Sequence, residues 1–404
     1  MANNRITYAT AQVSIKDNRA AATNIIANDY DAAILASGIS AADTIIGFNT
    51  ALSGTWPDSH DIMIENEIIN FTEWVTTDSI GGLTRGARGT TAASHASGTE
   101  AKLLAWEVPY GMQTTSISTA FNTEDVFQIG QLDAYENVET IPEIEVTMER
   151  VLDGTVPLWL MCTDSQYTSL KGRTADFKVD LAVNVYPDTQ DSAAGTDEDA
   201  VVTCSGMYVS SVSYSLTTDG NFTESLTLVG NDKTWTDAEG IPDGHFPTSD
   251  AFYADKVAKP ANGVGSGVQR SEDFDAAGST LPTDISADDH IQSLDVSADI
   301  GREDIYELGS KAPYYRAVTF PIEVTCSFEV ITSEGDKVEA LSDRDNLSAQ
   351  SIIIKTDGGL TIDLGSNNKL TNVSFGDFTT GGDSVTCTFE YANSNSLTIS
   401  HAAE

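Results

Sequence analysis

Basic residues are scarce in this chain. Against 61 Asp and Glu stand only 21 Lys and Arg, a formal net charge of −40 over 404 residues. A surface this negative repels phosphate backbones, which excludes a protein that grips nucleic acid. The same excess is expected of a chain adapted to high salt, where screening is strong, so salt adaptation and functional acidity both stand open. Cysteine is scarce as well. Cys162, Cys204, Cys326 and Cys387 lie far apart with no CxxC pair, so buried free thiols from a reducing cytosol are expected instead of a disulfide framework. No apolar run is long enough to span a bilayer. Met1-Ala2-Asn3-Asn4-Arg5 lacks the basic-then-apolar opening of a secretory signal.

Recognisable chemistry is missing too. Five histidines (His60, His95, His245, His290, His401) are dispersed, with no HExxH and no Cys/His cluster, so no metal is expected. Asp288-Asp289-His290 has no further His or Cys nearby. Ser342-Asp343-Arg344-Asp345-Asn346 lacks EF-hand spacing and reads as solvated loop. Arg85-Gly86-Ala87-Arg88-Gly89-Thr90-Thr91 is basic and glycine-rich but lacks the GK[ST] ending of a phosphate cradle, and a tight turn between strands is predicted. No Ser sits in GxSxG. A glycan hydrolase is disfavoured by 8% aromatic content and the lack of an acid pair that spacing places. No catalytic residue and no cofactor is predicted.

Alternation with period two dominates what remains. Phe177–Val185 places apolar residues at every second position, and Val209–Leu216 and Ser225–Val229 do the same around the turn Asp219-Gly220-Asn221. Val373–Phe375 and Ser384–Phe389 flank Gly381-Gly382 in the same way. Helices are few. Thr155 is predicted to cap one through Val156–Met161, and Ser333-Glu334-Gly335-Asp336 to open another through Leu341.

The chain also repeats itself. Gln113–Ser118 followed by Glu124-Asp125-Val126-Phe127-Gln128-Ile129-Gly130 returns as Gln292–Ser297 followed by Glu303-Asp304-Ile305-Tyr306-Glu307-Leu308-Gly309. The match continues from Tyr135 to Tyr314 and from Pro142 to Pro321, then after a one-residue slip from Glu145-Val146-Thr147 to Glu323-Val324-Thr325. A module carried twice usually serves assembly, because equivalent surfaces can occupy successive places around a ring. The twelve candidate assembly positions are therefore Glu124, Asp125, Phe127, Gly130, Tyr135, Pro142, Glu303, Asp304, Tyr306, Gly309, Tyr314 and Pro321. Adjacent acids on a strand face opposite ways, so Glu124-Asp125 and Glu303-Asp304 are expected at a repeated subunit contact or a hairpin end. Gly130 and Gly309 are expected to end the same strand in each copy.

Val108-Pro109-Tyr110-Gly111-Met112-Gln113, Phe121–Leu132 and Tyr135–Val138, with Cys204–Tyr214, Gly220–Glu224 and Val229–Asp232, resemble the tail tube (major tail) proteins of long-tailed phages and related viruses. The Thr84–His95 tract resembles one that recurs in phage structural proteins. The resemblance covers about two thirds of the chain and implies a mainly β fold: two tandem β-sandwich tube domains, each with a short flanking helix. It implies a first tube domain at 1–31 and 105–235, an inserted β-rich module at 32–104, a linker at 236–290 and a second tube domain at 291–404. The inserted module departs from the family pattern, and an outer position is expected for it. Most members form six-membered rings from one domain per chain, so two copies imply homotrimeric rings with pseudo-sixfold symmetry. Such rings stack into a tube in the virion tail, assembled in the host cytoplasm, whose acidic lumen passes double-stranded DNA without tight binding. Implied partners are further copies of the chain and the tape-measure, tail-terminator and baseplate or tail-tip proteins, with no membrane. A secreted or surface acidic β-protein, such as an adhesin or S-layer unit, is the alternative.

Overall fold

The computed structural model describes residues 11–17, 33–51, 60–64, 67–86, 92–103, 109–121, 123–163, 170, 178–185, 200–237, 267–283, 285, 290–309, 313–331, 348–376 and 385–401. The protein is mainly β, in large antiparallel sheets, and no helix among the described residues is long and apolar enough to cross a membrane. It divides into two compact units. The first holds Met1–Pro109, Phe177–Met207 and Asp232–Ala258; the second holds Tyr110–Asp176, Tyr208–Asn231 and Lys259–Glu404.

The chain opens with β1 (Ala11–Asp17), then β2 (Ala33–Ile34), β3 (Ile46–Gly47), β4 (His60–Ile64), β5 (Glu67–Phe71), β6 (Glu73–Thr76), β7 (Ser79–Gly81) and β8 (Glu100–Leu103). Strands β2-β8-β4-β5 form one small sheet and β3-β7-β6 another. Alternation sends Ile62, Ile64, Ile69 and Phe71 into a core shared with Leu35, Ile46, Phe48 and Ile80. Glu67 lies on the same face of β5 as Ile69 and Phe71, so its carboxylate is buried. Arg85 Nε and Nη2 donate to it at 2.7 Å each, the N–H groups of Gly86 and Ala93 at 3.0 and 2.9 Å, and His95 Nε2 lies 2.9 Å away. Burial alone would raise the Glu67 pKa, but these partners outweigh it and hold the group at about 2. The described part of the Arg85–His95 tract is thus pinned from within by one carboxylate, and residues 87–91 lie outside the described residues.

Next come β9 (Met112–Ala120), β10 (Thr123–Phe127), β11 (Ala134–Glu139), β12 (Glu143–Val151), α1 (Leu158–Cys162), β13 (Val179–Val185), β14 (Ala200–Thr217), β15 (Thr223–Gly230) and β16 (Asp232–Asp237). In the first unit β13 lies between β1 and the first part of β14, and β16 pairs with that same part. Helix α1 is short and wholly buried. Thr155 does not cap it, contrary to expectation: both its N–H and its hydroxyl turn back to Asp153 Oδ1, at 3.1 and 2.5 Å. The cap comes instead from Glu224 on β15, whose carboxylate accepts the N–H groups of Leu158 and Trp159 at 2.7 and 2.9 Å. Tyr214 Oη donates to Glu224 at 2.7 Å. Burial, then the Glu224 carboxylate, pushes the Tyr214 phenol well above its usual pKa, so it remains a donor.

The second copy supplies β17 (His290–Asp299), β18 (Arg302–Ile305), β19 (Tyr315–Val318), β20 (Glu323–Ile331), β21 (Ile353–Lys355), β22 (Leu360–Asp363), β23 (Lys369–Phe375), β24 (Thr386–Ser394) and β25 (Thr398–His401). The helix expected from Ser333 and the turn at Gly381-Gly382 lie outside the described residues. Residues 267–280, assigned from the sequence to a connector, hold to the second unit: Gln269 N–H donates to Leu152 O at 2.8 Å, and Thr280 and Ile353 bond each other. All four cysteines are buried and free. Cys326 on β20 and Met148 on β12, matched by the repeat, are both core residues.

The second unit is organised by one sheet of eight strands in the order β9-β12-β15-β14-β17-β20-β24-β23. The first four strands belong to copy one and the last four to copy two, in the same relative order. The copies join where β14 pairs with β17, with Tyr214 opposite Val296 and Leu216 opposite Leu294.

Candidate assembly surface

One face of this sheet is buried and apolar apart from Arg150 and Glu224; the other faces solvent. Because the pleat alternates, residues directly opposite across strands share a face. One solvent-facing row runs Ser116, Thr147, Thr227, Ser211, Asp299, Glu323, Ser394. Glu143, Glu145, Glu149, Asp295, Glu329 and Glu390 add carboxylates to the same face, and short hydroxyl side chains fill most of the rest. The only basic side chain in these rows among the described residues is Lys369, on the edge strand β23. Asp299 stands directly opposite Glu323. Like charges at that spacing are unfavourable, and a sequence that accepts such a conflict is usually serving function at the expense of stability.

The sheet has two open edges. Among the described residues β9 pairs only with β12, and β23 only with β24. The edges leave apolar residues uncovered whose repeat equivalents are buried. Thr115, Ile117 and Thr119 on β9 are half-buried, whereas Leu294, Val296 and Ala298 on β17 are fully buried. Phe121 is 79% exposed, while its equivalent, Ile300, is 0% exposed. The difference has a simple cause: β17 is covered by β14, and among the described residues no strand pairs with the other edge of β9.

The candidate positions gather on two equivalent hairpins. Glu124, Asp125 and Phe127 lie on β10, Tyr135 on β11, and Gly130 in the tip between them. Glu303 and Asp304 lie on β18, and Tyr306, Gly309 and Tyr314 in the loop leading to β19. Gly130 and Gly309 do not end strands, contrary to expectation. They sit in the tips with φ of +95° and +97°, a left-handed conformation that suits glycine. The two acids serve as cross-strand partners. Asp125 accepts from Asn137 Nδ2 at 2.5 Å, and at the equivalent place Asp304 pairs with Arg316 at 2.9 Å. Tyr306 Oη also donates to Asp304; burial and then this carboxylate raise its pKa. Pro142 and Pro321 stand just before β12 and β20, and Pro142 O accepts from Asn231 Nδ2 at 2.8 Å.

The second hairpin is anchored on copy one. Arg302 donates through Nε and Nη2 to Val209 O and lies 5.1 Å over the Tyr208 ring, which meets Tyr315 edge-on. The first hairpin, by contrast, is exposed along both strands. Sequence reasoning missed Ile129 and Leu308 as site residues. Each precedes the shared glycine, and each is fully exposed; their recurrence before Gly130 and Gly309 was the available signal. Among the described residues no group of His, Cys, Asp or Glu is arranged to hold a metal ion. No family model matches this chain, and no curated protein matches it.

Proposed function

We propose that this chain is a structural, non-enzymatic subunit that assembles with further copies of itself into rings of three chains. The rings stack into a hollow tube of the tail-tube type, which conducts a viral genome from capsid to host. The observation that carries this reading is the order of the eight-stranded sheet. Because copy two repeats the order of copy one, the free edge β23 is the equivalent of β14, and the free edge β9 is the equivalent of β17. The chain already joins a β14-type edge to a β17-type edge once, and its own open edges offer the same pairing to neighbours. A heterologous contact of this kind closes a ring when its rotation allows.

The polar face of the sheet supports the same function. Carboxylates and short hydroxyls, turned toward a channel, repel a duplex backbone and leave it free to slide. Tape-measure, terminator and tail-tip proteins are the partners such a tube would meet, in a virion tail assembled in the host cytoplasm.

The internal joint places Ser215 opposite Asp295; the matching pair between chains is Ser374 and Ser116. A protein carrying Ser116→Cys and Ser374→Cys should, under oxidation, form covalent closed trimers, while either single variant gives at most dimers. Monomers alone, in a preparation that electron microscopy shows to contain rings, would refute this joint.

A further inference from the structure

His401, on β25, is 7% exposed and stands directly opposite Leu360 on β22, which is buried as well. Its ring lies against the backbone of Gly358, in the turn before β22, and of Gly154, in the loop after β12. These two segments meet closely. A Cβ added at Gly358 would stand 3.1 Å from Gly154 Cα and would collide with the Gln269 side chain. Gln269 is itself fixed, since its N–H donates to Leu152 O and its C=O accepts the N–H of Phe222. Helix α1 also packs against β25. The histidine therefore sits in a filled junction of several segments, not in a cavity.

The charges around it are few and already committed. From β12 comes Arg150, wholly buried, with Nη1 on Val156 O and Nη2 on Asp153 and Thr155. From the loop that follows comes Asp153. Its Oδ1 accepts from Arg150 Nη2 and from both the N–H and the hydroxyl of Thr155. Helix α1 brings apolar side chains and the Cys162 thiol, β22 brings Leu360, and Asp357, next to Gly358, is exposed. A neutral imidazole suits this site. A protonated one would set a second cation near a buried guanidinium, away from the water that would screen them. Burial above all, and then the Arg150 charge, hold the His401 pKa below its ordinary 6.5, against the opposing pull of the Gly358 and Gly154 backbone and of Asp153.

We propose that His401 is an acid-operated latch, whose protonation frees β25 from β22 and uncovers the buried face of α1. The strand is suited to the part. It has four residues and, among the described residues, pairs only with β22; short elements with few partners open at low free-energy cost. The sign follows from linkage. A base whose folded pKa is depressed stabilises the fold above its unfolded value, 6.5, and that stabilisation is lost as pH falls from there to the folded value. Every part of the latch lies in the second unit of a single chain, so it does not rest on the assembly reading.

The test follows wild type and His401→Gln by hydrogen exchange, corrected for intrinsic rates, between about pH 7.5 and about pH 4.5. In wild type the amides of β22 and β25 should lose about tenfold in protection for each pH unit that separates 6.5 from the folded pKa. Cys162, buried at neutral pH, should become reactive in parallel toward a dipyridyl disulfide, which attacks thiols in acid. Neither change should occur in the variant. Protection of β22 and β25 that holds steady in wild type, or falls equally in the variant, would overturn the latch. Should the variant not fold, NMR of the wild-type His401 ring decides: titration below 6.5 supports the latch, and titration at or above 6.5 overturns it.

Discussion

Arg150 on β12 and Glu224 on β15 stand directly opposite each other, wholly buried, with Arg150 Nε 3.8 Å from the carboxylate. At the equivalent cross-strand place in copy two stand Phe328 and Phe389. The same slot of the same repeat is ionic in one copy and aromatic in the other. The ionic version is held by surrounding bonds: Arg150 Nη2 also reaches Asp153 and Thr155, Nη1 reaches Val156 O, and Glu224 caps α1.

Removing one partner should therefore be costly and removing both much less so. Glu224→Ala leaves a buried guanidinium and two unpaired helix N–H groups, and should destabilise the second unit by about 3–5 kcal/mol. Arg150→Met with Glu224→Leu should recover at least about half of that loss, since copy two packs the slot without charge. Chemical denaturation of the three proteins measures it.

Acid should loosen the module around β4 and β5 through Glu67. Its folded pKa, about 2, lies below the ordinary 4.5. The stabilisation is therefore fully present above the unfolded value and is lost as pH falls from about 4.5 toward 2. Glu67→Gln should cost about 3 kcal/mol at pH 7 by leaving Arg85 without its buried partner, and should flatten that acid dependence. Hydrogen exchange at Ile62, Ile64 and Ile69 across pH 2–7 reads both effects; equal pH dependence in wild type and variant would contradict them.

Period-two strands were legible because each is encoded locally: Val179–Val185, and β14 with β15 around Asp219–Asn221, lie where alternation places them. The short helix was legible too, but its cap was not, since Glu224 lies 66 positions beyond Leu158 and nothing local distinguishes it from Thr155. The hairpin residues were found as a recurrence, and their grouping followed. Their exposure was not legible, because Phe121 and Ile300 are both ordinary apolar residues in sequence and differ only in having β14 beside one of them. The pairing of β14 with β17 left no local signal for the same reason.

Gly130→Val and Gly309→Val should impair tube assembly while leaving the melting of the subunit within about 1 kcal/mol of wild type. The space is open, as no atom lies within 4 Å of an added Cβ at either tip. The penalty comes from the positive φ, which a β-branched residue resists and which the tip must keep. Normal tube yield from both variants would show that tip geometry is irrelevant to assembly.

Assembly should rise with ionic strength. Screening shortens charge repulsion to about 10 Å at 0.1 M salt and about 3 Å at 1 M, which relieves contacts between chains of net charge −40. Divalent cations should act at lower concentration than Na⁺. Duplex DNA should not sediment with the tubes even in low salt. Assembly that falls with salt, or tubes that retain DNA, would contradict an acidic, freely passing lumen.

The central claim is that one chain fills two successive places in a ring, and counting chains in a ring by cryo-electron microscopy tests it most directly. The expected cross-section holds three chains, each giving eight strands to one closed barrel, with β23 of one chain beside β9 of the next. A ring of six chains, or a three-chain ring in which β9 and β23 stay unpaired, would contradict it.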